Sequence, residues 1–332
     1  MSAASRILTV SQAINEGLRE EMRRNPEVIL IGEDIGALGG IFGVTKGLLD
    51  EFGPERVLEP PIAEYGFTGL AVGAAMRGLR PVVELMFSDF VSVAMDPILN
   101  QAAKMRYMSG GRFSVPLVLR APRGSGDHYA GQHSQCLEAW FAHIPGLKVV
   151  CPSTPADAKG LIRSAVRDPD PVVFLEHKLT YGREGEVPAP GSTDAPIPLG
   201  LADVKRPGRD LTIICWSRQV FYALEAAEEL AAGGIEAEVL DLRSLVPLDW
   251  EAVRQSVAKT RRVLIVEEAV RRGGFGAELS AQINEDFYGA LTAPVKRLAG
   301  KNVVIPFSPG LEEAAIPQIK DILDAARAIC SA

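Results

Sequence analysis

The sequence predicts an α/β protein built from two doubly wound, mostly parallel sheets. Its 332 residues are 47% hydrophobic, which is enough for two domains with separate cores. Short runs of β-branched residues alternate with longer stretches of helical period, which is typical of parallel strands covered by helices. The alternation stops between residues 183 and 209, where prolines and glycines predict a linker. The predicted domains are therefore residues 1–182 and 210–332.

The periodicity places the individual elements. The first helix carries Ile14, Leu18 and Met22 on one face; Ser11 is its predicted N-cap, and the Asn-Pro pair at 25–26 ends it. Apolar runs in the first domain predict buried strands at residues 28–31, 81–87, 115–120, 148–151 and 172–176. In the second domain, strands are predicted at 211–216, 235–242 and 262–266, and helices at 220–232, from 248 and from 275.

Charge and composition exclude several classes of function. With 35 basic and 42 acidic residues, the net charge of −7 argues against nucleic acid as a partner. No apolar run approaches the roughly 20 residues that cross a bilayer, so no membrane association is expected. The four cysteines lie far apart, without metal or redox spacing, and no apolar secretion signal opens the chain. These features predict a cytoplasmic protein.

The segment 59–76 carries the first candidate site. It joins a proline-rich loop to a predicted helix that begins near Glu64 and contains Gly69 and Gly73 one turn apart. Glycine inside a helix is unfavourable by about 1 kcal/mol, so this pair indicates a closely packed partner, such as another subunit. Spacing alone leaves Glu64 with two interpretations: an acid favoured by the helix dipole, or a functional carboxyl.

A second candidate is the glycine-rich loop around His133, which follows a predicted strand. In open α/β sheets, ligands bind at the carboxyl ends of strands, and a histidine there can exchange protons near neutral pH. The alternative is a surface histidine without a function. A metal pair of His133 with His128 lacks a third ligand at a recognisable spacing.

Two further stretches invite a functional interpretation. The glycines of Gly273–Gly276 follow a predicted strand, but Leu279 stands where a dinucleotide fingerprint needs its last glycine, which argues against nicotinamide binding. The stretch 84–90, which ends in Phe90, carries aromatic rings at a strand end. Such rings are usually core, although one of them could stack on a flat ligand.

Taken together, the sequence resembles the β subunit of the thiamine-diphosphate-dependent E1 component of 2-oxo acid dehydrogenase complexes. The resemblance covers nearly the whole chain. Its motifs include PIAEYGF at 61–67, MRYMSGG at 105–111, QHSQ at 132–135, PGLKVV at 145–150, DAKGL at 157–161 and DLRS at 241–244. It implies a pyrimidine-binding, transketolase-like first domain and a transketolase C-terminal-like second domain.

The resemblance also implies roles for individual residues. Glu64 matches the glutamate that binds N1′ of the cofactor's aminopyrimidine, where a carboxyl is needed to exchange the ring proton. Phe90 matches the ring that stacks on the pyrimidine, and Ile62 matches an apolar wall residue near the cofactor. His133 matches the histidine that guides protons and the incoming lipoyl group during reductive acylation.

Thiamine enzymes of this kind hold Mg²⁺, and through it the diphosphate, with a Gly-Asp-Gly segment, which this chain lacks. The resemblance therefore implies an α subunit that supplies Mg²⁺ and the other half of a shared thiamine diphosphate site, in an α2β2 heterotetramer. It also implies docking to the lipoyl domain and core of an E2 acyltransferase. The small-residue helix after Glu64 is expected at a subunit interface.

A potassium ion is a further implication of the resemblance. The residues that match its ligands, several of them through backbone carbonyls, are Leu117, Ala165, Val166, Asp168 and Asp170. An ordinary helix C-terminus fits the sequence around Asp168 equally well.

Three functions stay open. The main hypothesis is oxidative decarboxylation of pyruvate or a related 2-oxo acid, such as a branched-chain one, with acyl transfer to a lipoyl group. The first alternative is cleavage of acetoin, which the segments 43–48 and 151–155 favour by resemblance. The second is a non-catalytic assembly subunit, which the presence of Glu64, Phe90 and His133 argues against.

Overall fold

A computed structural model of the chain describes residues 5–189 and 195–331. The chain divides into two compact units. The first contains the described residues of Met1–Arg123 and Trp140–Leu199, and the second contains those of Gly124–Ala139 and Gly200–Ala332. The loop that carries His133 therefore belongs to the second unit, although it follows a strand of the first.

The first unit is organised around a parallel sheet. Its strands are β1 (Ser5–Thr9), β2 (Val28–Gly32), β3 (Val57–Leu58), β4 (Arg80–Glu84), β5 (Val118–Arg123), β6 (Lys148–Val150), β7 (Val172–His177) and β8 (Glu184–Pro188). Within this unit, the sheet runs in the order β6-β7-β5-β4-β2-β3 with parallel neighbours, while β1 and β8 form a separate antiparallel pair. The predicted parallel α/β architecture is confirmed.

Helices cover this sheet. They are α1 (Val10–Arg24), α2 (Leu48–Phe52), α3 (Glu64–Met76), α4 (Met105–Met108), the last three residues of α5 (Glu138–Ala142), and α6 (Pro155–Arg167). Helix α1 buries Ile14, Leu18 and Met22 in the core, as their spacing predicts. Its N-cap is Thr9, not the predicted Ser11, because the Thr9 hydroxyl accepts the Gln12 N–H at 3.2 Å.

A buried ion cluster lies towards the carboxyl ends of β4, β5 and β7. Arg120 donates two hydrogen bonds to Glu176, at 2.7 and 2.6 Å, and a third to Glu84. Tyr181 also donates to Glu176. Burial lowers the pKa of Arg120, but the two carboxylates together raise it above its ordinary value. The charged guanidinium therefore ties three strands together at the edge where α/β sheets carry their sites.

The second unit has its own sheet and core. Its strands are β9 (Asp203–Arg206), β10 (Leu211–Cys215), β11 (Ala237–Asp241), β12 (Ser244–Val246), β13 (Val263–Val270) and β14 (Lys296–Gly300). Its helices are α7 (Gln219–Ala232), α8 (Trp250–Thr260), α9 (Phe275–Asp286), α10 (Pro309–Ala315) and α11 (Ile319–Ser331). The order β14-β13-β10-β11-β9 is parallel except for β9, which is antiparallel to β11.

The segment 183–209, predicted as a linker, contains regular structure. Strand β8 occupies its start and pairs with β1. Strand β9 occupies its end and pairs with β11. The boundary between the two units falls at Leu199 and Gly200, and residues 190–194 of the segment lie outside the described residues. In both ranges that the structure describes, no helix is long and apolar enough to cross a membrane.

Candidate active site

Glu64 is the first residue of α3, and its side chain is only 8% exposed. The preceding Ala63 gives the helix no side-chain cap, so the positive end of the helix dipole faces this carboxylate. Among the residues that the structure describes, none donates a hydrogen bond or a cation to it. Because no described side chain pairs with it, this carboxylate is open to a group supplied from outside the chain.

A second buried acid, Glu33, lies at the carboxyl end of β2. Burial raises its pKa to about 7, and the negative charges of Glu64 and Asp34 add to the effect. Its Oε1 atom has no hydrogen-bond partner in the described chain. The two glutamates therefore form an electrostatically coupled pair, one member of which exchanges its proton near neutral pH. Sequence reasoning missed Glu33, whose one signal was an acid directly after a buried strand.

The two predicted contact residues for a ring differ in exposure. Phe90 lies in a short 3₁₀ turn, Ser88–Ser92, after β4 and is half-buried. Ile62 lies before α3 and is 79% exposed. An isoleucine this exposed contributes little to the core of its own chain, so its apolar surface is available to a ligand or partner.

The outward face of α3 is apolar and open. Tyr65 and Leu70 are exposed, and a methyl group added at Gly69 or Gly73 would meet no atom within 4 Å. The described packing of this chain therefore does not explain why glycine occupies these two positions, and both leave room for an external surface to approach the helix closely.

His133 lies in the second unit and is half-buried. The Gly124 N–H donates to the Gln135 carbonyl at 3.2 Å, which closes the loop at its base. The Tyr129 ring lies 6.5 Å from the His133 ring, tilted by 49°. A cavity of about 370 Å³ adjoins the loop at Ser134. Within residues 5–189 and 195–331, no group of three or more His, Cys, Asp or Glu side chains is placed to hold a metal ion.

The residues predicted to hold potassium lie at the end of α6 and just before β5: Leu117, Ala165, Val166, Asp168 and Asp170. Arg80 donates to the carbonyls of Val166 and Asp168, at 2.9 and 3.2 Å. Lys148 binds both oxygens of the Asp168 carboxylate at 2.7 Å. Arg80 and Lys148 thus already bind carbonyl and carboxylate oxygens at this position. A potassium ion there stays a prediction.

The glycine-rich turn at Gly273–Gly276 is built around a buried carboxylate. Gly276 N–H at the start of α9 donates to Glu267 Oε2 at 3.0 Å, and Arg297 donates to Glu267 Oε1 at 2.7 Å. Burial raises the pKa of Glu267, against the opposing effect of these two donors. The helix terminus that would bind a dinucleotide phosphate is therefore taken by a side chain.

Comparisons with known proteins identify the family of this chain. The pyrimidine binding domain of transketolase matches residues 7–183, and the transketolase C-terminal domain matches residues 200–322. The pyruvate dehydrogenase E1 component subunit beta-2, mitochondrial, of Oryza sativa subsp. japonica is 48% identical over 99% of this chain and 88% of its own length. The chain belongs to the family of these E1 β subunits. The acetoin:2,6-dichlorophenolindophenol oxidoreductase subunit beta of Cupriavidus necator is also 48% identical, over 97% of both chains.

The fold of this E1 β chain has a solved counterpart. A split-gene transketolase, described as an inactive β4 tetramer, superposes with a TM-score of 0.79 over 98% of both chains at 24% identity. At this identity the likeness concerns the fold, and it confirms the predicted pair of transketolase-like α/β domains. The predicted family is confirmed by the comparisons at 48% identity.

Family membership implies thiamine diphosphate, and the first unit of this chain holds acids that fit its aminopyrimidine ring. Glu64 is buried and has no polar partner among the described residues, and the Oε1 atom of Glu33 has none either. A ring nitrogen that carries a proton would satisfy the Glu64 carboxylate. The sequence contains no Gly-Asp-Gly segment, which is the segment that would hold Mg²⁺ and, through it, the diphosphate.

The raised pKa of Glu33 predicts a pH-dependent stability. Because its folded pKa of about 7 lies above the ordinary 4.5, the folded chain holds a proton that the unfolded chain loses, and stability falls as pH rises through 7. Glu33→Gln cannot ionise. The wild type should therefore lose stability relative to the variant as the pH rises. The melting temperature of the variant minus that of the wild type, measured by circular dichroism, should increase from about pH 5 to about pH 8.

The matched control is Glu55→Gln, which removes an exposed carboxyl elsewhere in the same unit. Its melting temperature should track that of the wild type at every pH. A Glu33→Gln difference that is as flat as the control would contradict the assignment of a raised pKa to Glu33.

Proposed function

We propose that this chain is the catalytic β subunit of a thiamine-diphosphate-dependent E1 enzyme. With an α subunit, it would decarboxylate pyruvate or a related 2-oxo acid and pass the acyl group to a lipoyl group on E2. One observation carries the proposal: the buried Glu64 carboxylate at the start of α3 lacks a partner within the described chain and lies beside a second acid, Glu33.

Glu64 is the proton-exchanging residue in this proposal. Thiamine diphosphate supplies a carbanion-forming thiazolium and an aminopyrimidine whose N1′ must be protonated and deprotonated. The Glu64 carboxyl would bind N1′ and hold that proton, and burial would make the hydrogen bond strong. Phe90 would stack on the ring, and Ile62 would line the pocket beside it.

His133 acts later in the proposed sequence. Overall, a 2-oxo acid and the lipoyl disulfide give carbon dioxide and an acyl thioester, so one lipoyl sulfur takes the acyl group and the other takes a proton. His133 would supply or guide that proton, since an imidazole exchanges protons near neutral pH. Its half-buried place beside Tyr129 is compatible with contact to an incoming arm.

The α subunit would complete the site. This chain has no Gly-Asp-Gly segment, so we propose that the α subunit binds Mg²⁺ and the diphosphate, within an α2β2 assembly. The open face of α3 with Gly69 and Gly73 supports a close subunit contact there. The proposal also includes docking to the lipoyl domain and core of E2, a potassium ion near Asp168 and a cytoplasmic location.

Acetoin cleavage is the second candidate. The acetoin oxidoreductase subunit of Cupriavidus necator matches this chain over 97% of both lengths, as strongly as the pyruvate dehydrogenase subunits do. The residues discussed above would serve either substrate, because both reactions need the same activated cofactor. The co-expressed α/β complex, assayed with pyruvate, branched 2-oxo acids and acetoin side by side, separates the two functions.

Replacement of Glu64 tests the proposed proton exchange. Glu64→Gln keeps the shape of the side chain but cannot exchange the N1′ proton, so turnover with an artificial electron acceptor should fall at least about a hundredfold. Co-elution with the α subunit should be unchanged. The exposed Glu55→Gln serves as the control, and a Glu64→Gln complex with near-normal turnover would refute the assigned role.

The open face of α3 predicts a position at which a large side chain should prevent binding of the α subunit. Gly69→Leu adds a side chain whose Cβ meets no described atom within 4 Å outside its own helix backbone and chain neighbours, so the isolated β chain should keep or raise its melting temperature. Binding to the α subunit should be lost, because the side chain fills the space of the partner. Gly182→Leu, at another open glycine, should bind normally. Normal assembly of Gly69→Leu in size-exclusion chromatography would remove this face from the interface.

Replacement of His133 separates the two half-reactions. His133→Ala should reduce acylation of lipoamide by about 10²–10⁴-fold, the usual contribution of a general acid or base. Decarboxylation measured with an artificial electron acceptor should change much less, because that assay bypasses the lipoyl group. Equal losses in both assays would contradict a specific role in acyl transfer.

A further inference from the structure

The loop that contains His133 is held to the rest of the second unit by buried carboxylates. Ser125 donates its N–H and its hydroxyl to Glu268 Oε1, at 2.7 and 2.8 Å. At the far end of the loop, Glu138 accepts a hydrogen bond from Trp216 Nε1 at 3.0 Å. His133 lies between these two attachments. Its position therefore depends on what fixes the intervening residues.

Glu312, in helix α10, provides the attachment between them. Its Oε1 accepts the Gly126 N–H at 2.6 Å, and its Oε2 accepts the His128 N–H at 3.2 Å. The His128 ring contributes a third contact, with Nδ1 at 2.7 Å from Oε2. Within the described residues, every hydrogen bond to the Glu312 carboxylate comes from this loop.

The chemistry of this contact fixes the roles of its atoms. Glu312 is only 1% exposed, so an ionised carboxylate there needs all of these donors. A carboxylate only accepts, so with Glu312 ionised the tautomer that forms this contact has its proton on His128 Nδ1. His128 and Ala130 also have positive φ angles, 60° and 59°, which are unfavourable for residues with a side chain. The Glu312 contact holds this turn in a conformation that the chain would not favour alone.

We propose that Glu312 is a positioning residue that holds the loop 124–139 through Gly126 and His128 and so fixes the place of His133 for acyl transfer. The proposal rests on the proposed function of His133. Glu312 acts through the loop and touches no reacting atom. When the loop detaches, water can solvate both the carboxylate and the loop amides, so the contact changes the position of the loop more than the stability of the fold.

The experiment uses the complete α/β complex. Glu312→Gln keeps the length of the side chain, but its NH2 group faces one of the loop N–H donors and leaves at least one of them without an acceptor. His128→Ala removes only the ring contact. The control is Glu313→Gln, which makes the same charge change at the adjacent, exposed position of α10.

The first measurement is amide hydrogen exchange of the loop, which requires no catalytic activity. Exchange at Gly126 and His128 should be about tenfold faster or more in Glu312→Gln, and less accelerated in His128→Ala. The second measurement is the acylation of lipoamide. Its KM should rise, or its kcat fall, several-fold in Glu312→Gln, while decarboxylation with an artificial electron acceptor and the Glu313→Gln control stay at wild-type values.

The outcomes separate this proposal from the proposed function. Unchanged loop exchange in Glu312→Gln would overturn the role of Glu312, whatever the activity. Faster exchange with normal acylation would also overturn it, because the position of the loop would then not matter to His133. If the wild-type complex acylates no lipoamide, the proposed function fails, while the exchange data still decide whether Glu312 holds the loop. Should Glu312→Gln not assemble, His128→Ala, altered at a half-exposed ring, carries the same test.

Discussion

The burial of a carboxylate without a partner is the constraint on which the rest of this site depends. Glu64 lies at a helix N-terminus, where the dipole favours its charge, but no described residue pairs with it. Glu33 beside it holds its proton to about pH 7 because burial and the charge of Glu64 both oppose its ionisation. In the isolated chain the charge of Glu64 opposes the ionisation of Glu33, and a proton-bearing ring bound to Glu64 would offset that charge.

Other buried acids in the chain differ from Glu64 because donors of their own unit bind them. Glu176 is bound by Arg120 and Tyr181, and Glu267 is bound by Arg297 and the N-terminus of α9. Such carboxylates are satisfied by donors of their own unit and hold strands, turns or loops in place. Burial alone therefore does not distinguish a functional acid from a structural one. The absence of a partner among the described residues is what sets Glu64 apart from these acids.

The sequence predicts a strand well where both of its faces are buried. Strand β2 was expected at 28–31 and spans Val28–Gly32, because a strand buried on both faces is a continuous β-branched run. Strand β8 was missed: its residues include exposed glutamates, and its one partner within the described parts of the chain is β1, so no apolar pattern marks it. The motif predicts a role for Glu64 but none for Glu33, because the raised pKa of Glu33 arises from tertiary burial and a neighbour 31 residues away, which no local spacing encodes.

The contacts of the loop around His133 are also not encoded by local spacing, and they bear on function. Its position after β5 placed it in the predicted first domain, residues 1–182, whereas it belongs to the second unit. Its anchors are Glu268 and Glu312, which follow it by 143 and 184 residues, so their contacts become visible only in the folded chain. A C-terminal domain that binds a loop in this way is more than a structural support. Each carboxylate restrains backbone that precedes His133, so under the proposed role of His133, mutations far from the reacting atoms would alter one half-reaction and leave the other intact.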